Sequence, residues 1–202
     1  MNLNSIIDES MKFTKSQVKE ELASFLSIVY TKKPRITMEI GSASGGVLHG
    51  LIKCSNIPSL TISIDDFTEK MYRIDGDNME YGERVKFYKG WCNNGQFLQL
   101  IPMSTFDMGT LKIVTHILNG NKIDILFIDG YHTYQAVKSD YTTYSPLVAD
   151  NGIIAFHDIN GRSANDPRKV SQLWDEIKDN YNTYEITGYE NKYMGIGVIF
   201  KW

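Results

Sequence analysis

Short apolar-rich runs alternate along the chain with stretches whose apolar residues recur every three to four positions. Residues 36–40, 60–64, 97–103, 123–128 and 153–156 form the first kind. Within them Ile125-Leu126-Phe127-Ile128 is unbroken. Such a run predicts a strand buried on both faces, as in the parallel sheets of α/β proteins, because a half-exposed strand would alternate. Between the runs lie helical faces: Val18, Leu22, Phe25, Leu26 and Val29; Val47, Leu48, Leu51 and Ile52; Leu111, Val114 and Leu118; Val137, Tyr141, Tyr144 and Val148. A late helix carries Val170, Leu173, Trp174, Ile177 and Tyr181, and residues 183–187 and 195–201 predict a closing, hairpin-like strand pair. The segment 67–97 has no single period; a helix over 78–91 with Met79, Gly82, Val85 and Tyr88 inward is the reading it supports.

The punctuation agrees with this alternation. Thr14-Lys15-Ser16-Gln17 has the form of a capping box for the first long helix, and Pro34 ends that helix. Asn93-Asn94-Gly95, Asn119-Gly120 and Asp150-Asn151-Gly152 mark stops and turns. Strand and helix alternating through five units predict a doubly wound, Rossmann-like α/β fold. The expectation is a seven-stranded, mostly parallel sheet with helices on both faces and N-terminal helices. With no repeat, low-complexity tract or linker, 202 residues read as one domain, residues 1–33 a helical cap and 34–202 the core.

Composition narrows the partners. A net charge of −3 gives no basic face for nucleic acid, and Lys32-Lys33-Pro34-Arg35 reads as a solvated connection. Cys54 and Cys92 stand far apart and outside any CxxC spacing, which argues against a disulfide scaffold or structural zinc and suits a reducing compartment. The first residues lack a signal-peptide layout, and no stretch approaches the ~20 apolar residues of a membrane span. These readings point to a cytoplasmic protein with no membrane or nucleic-acid partner, and they leave a homo-oligomer open.

The strand ends carry the chemistry. In parallel sheets ligands sit outside the carboxyl ends of the strands. There the chain places Asp129, Gly130, Tyr131 and His132 after one run and His157-Asp158 after the next. The first strand runs through Glu39 into Gly41-Ser42-Ala43-Ser44-Gly45-Gly46, where glycine permits a tight turn and backbone N–H groups can face a ligand. Its spacing is G-x-x-x-G, not the G-x-G-x-x-G of dinucleotide binders. Taken alone, it also fits a turn that merely packs a helix on a sheet. Asp65 and its neighbour Asp66 follow the second strand, where a carboxylate can take both hydroxyls of a ribose or cap the next helix. His49 and His116 fall in helical stretches and read as structural or solvated.

Together these residues resemble the class I S-adenosylmethionine-dependent methyltransferases over about residues 36 to 160. Glu39, Gly41 and Gly45 match that family's first motif, Asp65 its ribose-binding acid, and Met103-Ser104 lies where such enzymes hold adenine. The run from Phe127 through Asp129, His132 and Tyr134, followed by Val137, Asp140 and residues 152–158, looks like a narrower branch. That branch includes metal-dependent sugar and macrolide O-methyltransferases and cephalosporin-hydroxylase-like proteins. The resemblance implies S-adenosylmethionine as donor, held by Glu39, Gly41, Ser42, Gly45, Asp65, Asp66, Ser104, Asp129 and Tyr131. It further implies His132 as general base beside Asp129, and a divalent cation such as magnesium or manganese on Asp129, His157 and Asp158. The metal-binding members carry Glu-Asp where this chain has His157-Asp158, and a histidine nitrogen is a softer ligand than magnesium prefers.

The expected reaction is methyl transfer to an oxygen of a small molecule or sugar. An NAD(P)-dependent oxidoreductase on a similar fold, or a non-catalytic module that keeps the cofactor fold, are the alternatives; the G-x-x-x-G turn argues against a short-chain oxidoreductase. Acceptor choice is expected to depend on the N-terminal helices and on residues 67–97 and 160–168. Residues 160–167 read as a lid, with Arg162 and Arg168 available to an anionic group.

Overall fold

Two strands distant in sequence, β1 (Ile36–Ile40) and β4 (Ile123–Ile128), lie side by side at the centre of a seven-stranded sheet. The computed structural model describes residues 2–14, 17–66, 79–160, 169–187 and 194–201. Outward from β1 come β2 (Ser59–Ile64) and β3 (Gln96–Ile101); outward from β4 come β5 (Val148–His157), β7 (Ile196–Phe200) and β6 (Asn182–Ile186). β7 alone runs antiparallel to its neighbours. The chain order thus reverses direction between β1 and β4. In a doubly wound sheet that crevice is where a ligand fits, because the connections leave it in opposite directions.

Strand alternation divides the core. Met38, Ile62, Leu126, Ile128, Ile154 and Phe156 point to one face. There they meet α5 (Met108–Leu118), α6 (Tyr134–Tyr144) and α7 (Val170–Ile177) through Val114, Val137, Tyr144, Leu173 and Trp174. Ile125, Phe127, Ile153, Ala155 and Val198 point the other way, onto α1 (Leu3–Met11), α2 (Lys19–Lys32) and α3 (Gly46–Cys54). Leu48 and Ile52 of α3 also pack with Tyr88, Trp91 and Leu98, which brings in α4 (Tyr81–Lys89) and the edge strand β3. Burying both faces is what makes the parallel strands read as apolar runs.

Local chemistry sets the helix ends. Asp107 accepts a hydrogen bond from the Gly109 N–H at 2.7 Å and Thr133 one from Ala136 at 3.3 Å, each filling a first-turn donor that has no partner inside its helix. Asn119 closes α5 in the left-handed region, φ 45°.

Several expectations change in detail. The Thr14 hydroxyl does accept from the Gln17 N–H at 3.2 Å, but α2 begins only at Lys19, so the predicted box closes a turn before the helix. In α4 the buried residues are Arg84 and Tyr88, whereas Gly82 is exposed and has open space around it. A short helix with one-sided packing has little apolar content from which to read its phase. Val148 begins β5 instead of ending a helix, and Asp150-Asn151-Gly152 lies inside that strand. There the pairing slips, with Val148 opposite Ile123 and Ile153 opposite Ile125. The extra residues are a bulge. Residues 67–78 and 161–168, where acceptor specificity and a lid with Arg162 and Arg168 were expected, lie outside the described residues.

Candidate active site

The carboxyl ends of β1, β4 and β5 bring Glu39, Asp129, His157 and Asp158 together, and His132 returns to the same place from the end of the β4–α6 loop, just before the α6 cap Thr133. Asp129 is the hub. Its Oδ1 accepts from His132 Nε2 at 3.1 Å and from His157 Nδ1 at 3.1 Å, while its Oδ2 accepts from Gln17 Nε2 at 3.1 Å. Asp158 stands behind both imidazoles, its Oδ2 3.7 Å from His132 and its Oδ1 3.9 Å from His157. It adopts φ 63°, in the left-handed region that few residues other than glycine and Asp or Asn occupy.

The electrostatics follow from this geometry. Burial would raise the Asp129 carboxyl, but the charge of His157 and the hydrogen bonds from both histidines outweigh it and hold the group down at about 2. Burial likewise works against charge on His157; the Asp129 charge and hydrogen bond, helped by Asp158 and Glu21, lift it to about 9. For His132 the hydrogen bond to Asp129 is the largest influence and raises it, against partial burial. Glu39 is different: burial, then the nearby charges of Asp129 and Asp65, push its carboxyl well above the ordinary range. Its Oε2 has no hydrogen-bond partner among the described residues, so a buried carboxyl oxygen is left unmatched beside the β1 end.

The glycine turn is shaped by close approach. Gly41 has φ 81°, and a Cβ built on it would lie 2.1 Å from the Asp129 carbonyl oxygen, so the β1 and β4 ends touch there with no room for a side chain. Gly45, at φ 88°, packs against the Tyr88 and Trp91 rings, which would stand 2.9 and 2.8 Å from its Cβ. Asp65 turns inward: its Oδ2 accepts from the Ser42 N–H at 2.8 Å, the Ala43 N–H at 3.0 Å and the Ser42 hydroxyl at 3.2 Å. Tyr88 adds a hydroxyl bond to the Ala43 carbonyl at 3.0 Å. Asp66 instead accepts from the Tyr131 hydroxyl at 2.9 Å, and the exposed Tyr131 ring stacks on Phe106 at 6.2 Å. Ser104 stays within its own loop, its hydroxyl accepting from the Phe106 N–H at 3.3 Å. Beneath these loops Asp140 is buried; desolvation carries its carboxyl to about 6, opposed by a hydrogen bond with Thr105.

The remaining histidines lie elsewhere. His49 is buried against Ser10 at 2.9 Å and held down at about 4, chiefly by burial, and His116 is exposed on α5. Two participants had no signal in the sequence. Gln17 had been assigned to a cap, and Tyr88 to packing alone; the tertiary approach of each shows its role.

The candidate metal ligands are engaged with one another. Asp129 and His157 share a hydrogen bond, and among the described residues no group of three or more His, Cys, Asp or Glu side chains is arranged to hold a metal ion. A cation bound through His157 Nδ1 would require that nitrogen to give up Asp129, since it carries a proton where a metal needs a lone pair; His157 Nε2 and Asp158 Oδ1 are buried with no hydrogen-bond partner among the described residues.

A family model described as a methyltransferase domain matches residues 38–159. The chain belongs to this methyltransferase-domain family. The match starts in β1 and ends just past Asp158, and so contains every strand end described above. The uncharacterized protein R132 of Acanthamoeba polyphaga mimivirus is 33% identical over 134 residues, covering 66% of this chain and 55% of that protein. The uncharacterized protein y4gI of Sinorhizobium fredii is 23% identical over 150 residues, 74% of this chain but 16% of its own length. The chain therefore spans about half or less of these curated relatives. In fold it resembles the Bacillus cereus O-methyltransferase solved with SAH, at TM-score 0.62 and 14% identity over 98% of this chain and 90% of that one. Cofactor-bound Rv0187 from MTB superposes at 0.64 with 12% identity, over 98% and 87% of the two chains. The fold is that of the class I S-adenosylmethionine-dependent methyltransferases. Among the described residues no helix is long and apolar enough to cross a membrane.

Proposed function

We propose that the protein transfers the methyl group of S-adenosylmethionine to a hydroxyl oxygen of a small molecule or sugar. The observation that carries this reading is the pairing of His132 with Asp129 at the β1/β4 switch point. Asp129 accepts a hydrogen bond from the Nε2–H, which fixes the ring and leaves Nδ1 as the basic nitrogen, with no partner among the described residues. An acceptor O–H gives its proton to that nitrogen as its oxygen bonds the methyl carbon and the sulfur–methyl bond breaks. The donor, when bound, supplies an already activated methyl on a sulfonium. The chain's part is to bind, orient and take up the proton.

Three features support the donor site. Glu39 Oε2 is buried without a partner among the described residues, Gly41 keeps the β1–β4 crevice free of side chains, and α3 begins at Gly46 with its first N–H groups at the same edge. In this reading Glu39, Gly41, Ser42 and Gly45 line the amino-acid end. Asp65 and Asp66 lie at the ribose, and Ser104 and Tyr131 flank the base. Asp65 would act mainly by fixing the loop through the three bonds it already accepts. In the variant with a magnesium or manganese ion on Asp129, His157 and Asp158, an ion bound through His157 Nδ1 would break that nitrogen's bond to Asp129, and the bond as it stands supports the reading without a cation.

Calorimetric titration with S-adenosylhomocysteine, with and without manganese or magnesium, tests both parts. Micromolar binding unaffected by metal is expected. No binding under any condition rejects the donor assignment, and a metal-dependent heat abolished by Asp129→Ala would establish the cation variant instead.

A further inference from the structure

The family match begins at residue 38, yet one of the three hydrogen bonds on the Asp129 carboxylate comes from residue 17. Gln17 lies between α1 and α2, on the helical layer that covers the sheet face shared by Phe127, Ala155 and the β1 residue Glu39. The layer is firmly seated. Leu22, Phe25, Leu26 and Val29 are fully buried, and Glu21, also fully buried, accepts from the Gly195 N–H at 3.1 Å. Gln17 stands two residues before the start of that seated helix, and its N–H is tied to the Thr14 hydroxyl at 3.2 Å, so its side chain can hold a partner to a defined geometry.

An ionised carboxylate only accepts hydrogen bonds, so the Gln17 amide must present its nitrogen to Asp129. That choice leaves Gln17 Oε1 buried with no hydrogen-bond partner among the described residues. Leaving a buried acceptor unmade is unfavourable, so the orientation is kept for the bond it makes on the other side. Oδ1 alone carries both imidazoles. Without a donor on Oδ2 the carboxylate could rotate, and neither histidine would keep its nitrogen against a fixed oxygen.

We propose that Gln17 is a positioning residue for the Asp129–His132 pair, so that the N-terminal helical layer is part of the reaction site and not only a cover for the core. This rests on the reading of that pair as the base.

The test uses the full chain, labelled with ¹⁵N-histidine and saturated with S-adenosylhomocysteine, and follows the imidazole N–H protons bonded to Asp129. His132→Ala and His157→Gln assign the two signals. Gln17→Met keeps the length and bulk of the side chain but removes the donor; Gln17→Ala removes both. The expected result is that both signals shift or exchange away in Gln17→Met as in Gln17→Ala, while Gln17→Met retains the wild-type melting temperature. Should Gln17→Ala fail to fold, Gln17→Met still decides. Gln17→Met spectra that superimpose on the wild type would overturn the proposal and leave a packing role. Failure of the underlying reading looks different: no S-adenosylhomocysteine binding, or no Asp129-bonded proton, in the wild type itself.

Discussion

Gly41→Ala separates backbone conformation from close approach, because Gly120→Ala provides its control. The two glycines have nearly the same φ, 81° and 82°, but a Cβ at Gly120 meets nothing within 4 Å. At Gly41 it would stand 2.1 Å from the Asp129 carbonyl oxygen, 2.7 Å from the Asp129 carbonyl carbon and 2.9 Å from the Gly130 Cα. Unstrained carbon contacts are about 3.5–4.0 Å. Alanine in the left-handed region costs about 1–2 kcal/mol, offset by about 0.4–1 kcal/mol of lost freedom in the unfolded chain. Gly120→Ala should therefore destabilise by about 1 kcal/mol on those figures. Gly41→Ala adds an overpacking cost of about 3 kcal/mol, the upper end of the usual range, because backbone and not a flexible side chain must move. For a chain of this size that predicts melting about 2–4 °C lower for Gly120→Ala and about 8–16 °C lower for Gly41→Ala. Urea titrations at constant m-value would give the two free energies directly. Equal losses in both variants would refute the argument from contact between β1 and β4. Since the displaced atoms carry Asp129, Gly41→Ala should also weaken S-adenosylhomocysteine binding, which Gly120→Ala should leave alone.

Other consequences follow from the hub. His132→Ala should lower methyl transfer by about 10²–10⁴-fold while S-adenosylhomocysteine affinity by calorimetry stays within twofold, on the order expected for losing a general base; unchanged transfer would exclude that role. The raised His132 also predicts that transfer increases with pH through a value above 6.5, read from kcat/KM. Stability should show the opposite slope. His157 is lifted from 6.5 to about 9, so its contribution is complete below 6.5 and lost as pH rises through 9. Urea midpoints should fall across that window, and a His157→Gln variant should flatten the fall. Asp65→Ala removes a charged acceptor from three donors of the glycine turn and should weaken S-adenosylhomocysteine by on the order of tenfold or more; an unaltered affinity would show that Asp65 is dispensable to the loop.

The sheet was legible in the sequence because burial on both faces leaves an unmistakable pattern. The runs ending at Ile40, Ile64 and Ile128 are strands in the structure, and the closing pair is antiparallel as its spacing implied. The same logic located the functional edge: a charged residue directly after a buried run can only lie where the strand leaves the core. Hence Asp129, His132, His157 and Asp158 could be singled out before their distances were known. The inward face of α4 could not, since a nine-residue helix that buries Arg84 and Tyr88 offers no apolar stripe to count.

What tertiary structure decided were the partners. Strand alternation places Glu39 and His157 on one sheet face, but nothing in their spacing says that α1 and α2 cover it or that Gln17 reaches Asp129 across 112 positions of chain. Nor does the sequence say that Asp65 spends its carboxylate on the Ser42 and Ala43 amides, or that His157 donates to Asp129. Burial is a property of each residue against water, and so it is written in local composition. Hydrogen-bond pairing depends on which elements approach one another and at what angle, and that is fixed only when the two helical layers close on the sheet.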